Sequence, residues 1–173
     1  MSADASHADE TRAFHAPDGI TILPFAMPGL AYLSFVEGRI PPRPEPYPIH
    51  LHGALEQVTY VLAGRITVTT WDAEEEKLTA FDAIVGDAFV TLPLQTLAFA
   101  NTGPEEARVL FICAPPYPPD NGDTRLVPTH HAPTAEEMTW SLGRRQAAID
   151  SESRSNAERA KHAEIAEEIE RLF

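Results

Sequence analysis

The sequence predicts an all-β barrel or sandwich that hands over to helix at its C-terminal end. Three observations carry this expectation. From about Ile20 to Ile112, short apolar runs rich in Val, Ile, Thr and aromatic residues recur at even spacing, broken by turn residues. Two proline-rich segments, 41–48 between these runs and 115–119 after them, cannot form ladder hydrogen bonds at most of their positions. Past residue 134 the composition shifts to Ala, Glu, Arg and Ser behind a helix-capping signature.

Taken in order, residues 1–10 are small, polar and acidic and are expected to be disordered. Residues 11–128 are assigned to the barrel and 129–173 to a helical extension. Strands are expected over 20–23, 31–36, 58–62, 66–71, 89–92, 97–100 and 108–112. Ala63-Gly64 reads as a hairpin turn between two of them. Asp72-Ala73-Glu74-Glu75-Glu76-Lys77 reads as a second, solvated turn. The segment 41–48 reads as an extended connector leading into His50, and 115–122 as the connector that ends the last core strand. Asp120-Asn121-Gly122-Asp123 lacks the spacing and terminal Glu of a calcium loop and reads as a turn. Thr134-Ala135-Glu136-Glu137 is a capping box that starts a helix. Gly143 and the segment 151–155 are expected to divide the remainder into two helices. Ile165, Ile169 and Leu172 share one helical face, which serves either to pack on the barrel or to clasp a second copy; a homodimer is the expectation.

A chain of 173 residues with 43% hydrophobic content suits one domain plus an added segment. The net charge of −13 argues against nucleic acid and against an anionic membrane surface as partners, since both select clustered Lys and Arg. The single cysteine, Cys113, lies in an apolar run and reads as a buried, inert thiol. No apolar stretch approaches transmembrane length and the first residues carry no signal-peptide pattern, so a soluble cytoplasmic protein is expected.

His50-Leu51-His52 carries the chemistry. Two histidines two positions apart in an extended segment point to the same side of the strand. Glu56 and Gln57 follow, then Gly64. A barrel uses such a pattern to gather two imidazoles and one oxygen donor around a single cation. A carboxylate is the stronger ligand for a divalent ion, which favours Glu56. The spacing before the Gly64 turn favours Gln57, which also shares strand parity with Thr59 and Val61. Both remain candidates. His130 and His131 follow the barrel and are read as an exposed loop pair, with a return to the site as the alternative.

The segment from His50 to Gly64 resembles the first motif of the cupin family, His-x-His, a Glu or Gln, then Gly. The second cupin motif is also visible: Gly86-Asp87 opens it, Leu92-Pro93 holds its Pro, and Asn101-Thr102-Gly103 closes it. The resemblance spans roughly residues 30 to 113 and implies a double-stranded β-helix, a jelly-roll barrel with its ligand site inside. It also exposes a gap. Where the family's second motif carries a metal-binding histidine, this chain has Leu97, or Ala98 under a one-residue shift.

The resemblance implies a metal-dependent enzyme with one divalent ion on His50, His52 and Gln57 or Glu56. Glu56 is also the candidate general base. Two histidines and a carboxylate would form the facial triad of non-heme iron oxygenases, so Fe(II) is favoured, with Mn, Ni or Zn as alternatives. With Gln57 as ligand the site would suit Lewis-acid chemistry, as in an isomerase, cyclase or lyase. Thr59, Val61, Leu97 and Phe99 are the candidate lining for a small, partly apolar organic substrate, or else plain barrel core. A non-catalytic module holding a small molecule is the competing expectation.

Overall fold

The computed structural model describes residues 6–27, 30–118 and 121–172, excepting the side chains of 162, 163 and 165–172. Along the chain the strands are β1 (Phe14–His15), β2 (Thr21–Pro24), β3 (Ser34–Ile40), β4 (His50–His52), β5 (Glu56–Ala63) and β6 (Arg65–Asp72). They continue with β7 (Lys77–Ile84), β8 (Ala88–Thr91), β9 (Leu97–Ala100), β10 (Ala107–Ala114) and β11 (Thr124–Leu126), followed by helix α1 (Ala135–Leu172). One sheet has the order β1-β2-β3-β10-β5-β8 and the other β11-β4-β9-β6-β7. From β4 onward the chain passes repeatedly from one sheet to the other, which is the winding of a jelly roll.

The pleat explains the core. Along β5 the buried positions are Gln57, Thr59 and Val61, and along β10 they are Ala107, Val109, Phe111 and Cys113. These inward residues meet Ile66, Val68, Leu97 and Phe99 from the opposing sheet. Each fully buried large apolar side chain contributes roughly 1.5–3 kcal/mol. On the outer face of β3 the buried Glu37 accepts two bonds from Arg108, Nε at 2.9 Å and Nη2 at 2.7 Å, and a third from Arg39 Nε at 3.3 Å. The Arg108 fork is the first cause that holds the Glu37 carboxyl below its ordinary pKa.

Ala63-Gly64 is not a hairpin. β5 pairs with β10 and β8, whereas β6 pairs with β7 and β9, so the chain turns a corner between sheets there. Gly64 sits at φ +75°, and a Cβ would lie 2.9 Å from the Ala107 Cα, so only glycine fits the corner. The true hairpin is the next turn, where Asp72 opposes Lys77 and the Asp72 Oδ1 accepts the Glu74 and Glu75 N–H groups, each at 3.0 Å.

Other expectations shift as well. β3 begins at Ser34 rather than 31. β7 escapes sequence reading because it is an exposed edge strand in which Ala83 alone is buried. Residues 8–12 are folded: Ala8 bridges Phe25, Asp9 caps the short 3-10 turn Glu10–Arg12, and Glu10 pairs with Arg39 at 2.9 Å. Residues 1–5 lie outside the described residues.

The extension is one helix, not two. Gly143 costs only about 1 kcal/mol in a helix, and the polar 146–159 stretch is laced by i,i+4 contacts such as Gln146–Asp150 at 2.8 Å. Its capping box forms as read, with Glu137 N–H donating to Thr134 Oγ1 at 3.2 Å and Thr134 N–H to Glu137 Oε2 at 2.9 Å. The Ile165–Ile169–Leu172 face lies outside the described side chains.

Candidate metal centre

β4 is only three residues long and is held in place by its neighbours. β11 pairs along one edge, with Thr124 opposite His52 and Leu126 opposite His50, and β9 meets the other edge with Leu97 opposite His50. The proline-rich lead-in is tied to the same region by Tyr47 N–H on the Phe99 carbonyl at 2.8 Å. Both imidazoles therefore face inward, are almost fully buried, and lie with ring centroids 5.4 Å apart, edge to face.

Each Nδ1 is engaged. His50 Nδ1 lies 3.3 Å from the Pro48 carbonyl and 3.5 Å from Asp18 Oδ2. His52 Nδ1 lies 3.3 Å from Thr124 Oγ1, which is 3.0 Å from the Tyr117 hydroxyl. Burial, with the neighbouring His50 imidazole as the second cause, pushes the His52 pKa down to about 3, so this ring is neutral at pH 7.

Glu56 and Gln57 now separate. Glu56 is exposed on the outer face of β5, so it is neither a ligand nor a base at this site. Gln57 is buried and turns inward, because successive strand residues alternate faces. Its amide donates to Thr59 Oγ1 at 3.5 Å, and its Oε1 accepts from Cys113 Sγ at 3.6 Å. Burial raises the Cys113 pKa to about 12, in keeping with an inert thiol.

A cavity of about 20 Å³ is bounded by His50, His52, Gln57, Asp18, Tyr117 and Phe99, among others. That is room for one water or one ion. Of the four expected substrate-lining residues only Phe99 reaches it; Thr59, Val61 and Leu97 are fully buried packing within the barrel. Leu97 occupies the place opposite His50 where another ligand would stand. His130 does not replace it: its two nitrogens lie 3.2 Å each from the Thr69 and Thr96 hydroxyls. His131 pairs with Glu137 at 3.0 Å, near the helix start.

Sequence reading missed three residues here. Asp18 belongs to the tight turn between β1 and β2; Asp-Gly signals the turn but not where it folds. Tyr117 lies in the connector after β10, where burial lifts its pKa to about 12 and keeps its hydroxyl protonated. Asp123 is buried under the loop that follows His52, accepting Ala54 N–H at 2.9 Å and Leu55 N–H at 3.0 Å.

The donors suit a cation in part. Two imidazoles with engaged Nδ1 atoms offer Nε2, and an amide oxygen is adjacent. Beside Gln57, across β5–β8, the buried Thr91 Oγ1 has no hydrogen-bond partner. Yet no group of three or more His, Cys, Asp or Glu side chains among the described residues is arranged to hold a metal. His50, His52 and the Gln57 amide border the same cavity, whereas Glu56, the carboxylate that a facial triad would take, does not.

The description "Cupin domain" matches residues 37–113, a span that includes the histidine pair and the Asn101 turn. No curated protein matches the chain in sequence. Among solved structures, the chain is similar to an uncharacterized double-stranded β-helix protein from Klebsiella pneumoniae, at 14% identity and TM-score 0.53, over 73% of this chain and 100% of that one. It is similar to oxalate decarboxylase from Lactobacillus farciminis at 17% identity and TM-score 0.52, over 71% of this chain and 33% of that one. It is similar to CapF at 10% identity and TM-score 0.54, over 73% of this chain and 35% of that one. At these identities the structures speak for the fold. Both motifs lie inside the matched span, so residues 37–113 match the cupin domain model, and the jelly roll around them is the double-stranded β-helix fold of the solved structures.

Proposed function

We propose that this chain binds one divalent transition-metal ion through Nε2 of His50 and His52, with the Gln57 carbonyl oxygen as third donor, and acts on a small organic molecule. The observation that carries the reading is the buried imidazole pair, with both Nδ1 atoms engaged, around a cavity of about 20 Å³. Imidazole suits zinc, copper, iron and nickel alike. With Glu56 outside, the carboxylate of a facial triad is not on this strand, so Lewis-acid chemistry is the better fit: an ion held by His50 and His52 would supply a Lewis acid. The reaction class is then an isomerisation, cyclisation or lyase step.

The chain's own residues prepare that chemistry. His52 stays unprotonated through burial and keeps its lone pair available. Phe99, Phe111, Ile20 and Val36 give the cavity an apolar wall. The protonated Tyr117 hydroxyl, now bonded near Asn121 and Thr124, is a donor at the edge of the site. An organic substrate does not fit in about 20 Å³. Tyr117 is also a wall of a second cleft of about 560 Å³, lined by Leu30, Tyr32, Pro116 and Arg144. That volume suits a small organic ligand. A non-catalytic reading, in which this cleft alone binds a ligand, is favoured by the small inner cavity.

Elemental analysis of the purified protein separates the two. About one equivalent of transition metal, lost in the His50→Ala and His52→Ala variants, is the expected result. A metal-free wild type that stays folded after incubation with zinc or iron removes the metal reading.

A further inference from the structure

We infer that Asp18 is a positioning residue of this metal centre, supplying from a turn outside residues 37–113 a carboxylate that the His50, His52 and Gln57 donors lack. The inference rests on the proposed metal site.

Asp18 and His50 side chains are each 4% exposed and border the same cavity. The turn that carries Asp18 is fixed from both ends: Ala16 N–H donates to the Ile20 carbonyl at 2.9 Å and Gly19 N–H to the Ala16 carbonyl at 2.8 Å. Gly19 takes φ +94°, the left-handed conformation that lets the chain reverse there. Asp18 Oδ1 accepts Ile20 N–H at 3.2 Å, while Oδ2 faces His50 Nδ1 at 3.5 Å.

A turn alone explains Oδ1 but not the charge. An asparagine carbonyl would accept the Ile20 N–H equally well, and burying a carboxylate against one long backbone bond and an imidazole is costly. A cation in the adjoining cavity offsets that cost. The carboxylate and the Pro48 carbonyl both face Nδ1, so the ring proton is held there and Nε2 keeps its lone pair. A carboxylate behind a ligating histidine also strengthens that ligand. Asp18 thus acts through His50.

The test is Zn(II) affinity by competition with a chromophoric chelator, for wild type and Asp18→Asn. Thermal melts report the fold of each, and ¹⁵N NMR reports the His50 tautomer in the metal-free protein. Asp18→Asn is expected to melt like wild type and to bind Zn(II) about 10–100-fold more weakly. Affinity within about twofold of wild type, with the histidine variants still abolishing binding, would overturn the role of Asp18 alone. A wild type that binds no Zn(II) removes the metal reading and this inference with it. A His50 proton on Nε2 in the metal-free wild type also overturns the inference. Should Asp18→Asn not fold, Asp18→Ser, whose hydroxyl can still accept the Ile20 N–H, takes its place. The same loss of Zn(II) affinity then supports the inference, and wild-type affinity overturns it.

Discussion

At the scale of single residues, one step along β5 decides the chemistry. Glu56 and Gln57 are neighbours in sequence, yet the pleat sends one to solvent and the other to the cavity. The spacing to Gly64 leaned toward Gln57 and ligand strength toward Glu56, so the sequence alone left both open. Asp18 was not legible: no spacing rule links it to His50, 32 positions away, and only the folded turn brings them to 3.5 Å. His52 makes a measurable prediction at this scale. Its folded pKa of about 3 lies below the unfolded value of about 6.5. Between those values the unfolded chain binds the extra proton, so His52 favours the folded state above pH 6.5 and that contribution drains away as pH falls toward 3. Urea unfolding of metal-free protein from pH 7 to 4 should show a loss that a His52→Leu variant reduces, by up to about 1.4 kcal/mol per pH unit. Parallel pH curves for the two proteins would contradict the assigned burial effect.

At the scale of elements, the site is held by segments outside its own strand. β11 is three residues long, yet it pairs with β4, and Asp123 just before it clamps the loop after His52. Read as a turn, 120–123 gave no hint of this, since a buried carboxylate and an exposed one look alike in sequence. Asp123→Ala leaves the Ala54 and Leu55 N–H groups without their acceptor, at about 1–3 kcal/mol each. A drop of at least about 2 kcal/mol in unfolding free energy is expected from urea melts with an unchanged slope. A midpoint equal to wild type would show that these bonds are replaced by others. The corner at Gly64 and the exposed β7 were misjudged or missed for a related reason. Sheet membership is a long-range property, and β7 offers few apolar residues to signal it.

At the scale of the molecule, the even spacing of short strands was enough for the barrel, and the change of composition after residue 134 was enough for the helix. What the helix does to the barrel was not. Ser141 Oγ donates to the Gly53 carbonyl, and Arg125 stacks on the Trp140 ring at 4.6 Å, so the first turns of α1 buttress the loop beside His52. Farther on, Ala147, Ala148, Ser151 and Ser155 form one wall of the cleft that Tyr117 shares with the inner cavity. Helix, connector and N-terminal turn therefore converge on one end of the barrel, around the imidazole pair.

Cobalt(II) titration of the metal-free protein, followed by its visible absorption, tests that convergence most directly. A d–d spectrum that saturates at about one equivalent and disappears in both His50→Ala and His52→Ala is the predicted result. A spectrum that persists in either variant, or none in a folded wild type, would contradict a metal centre built on these two histidines.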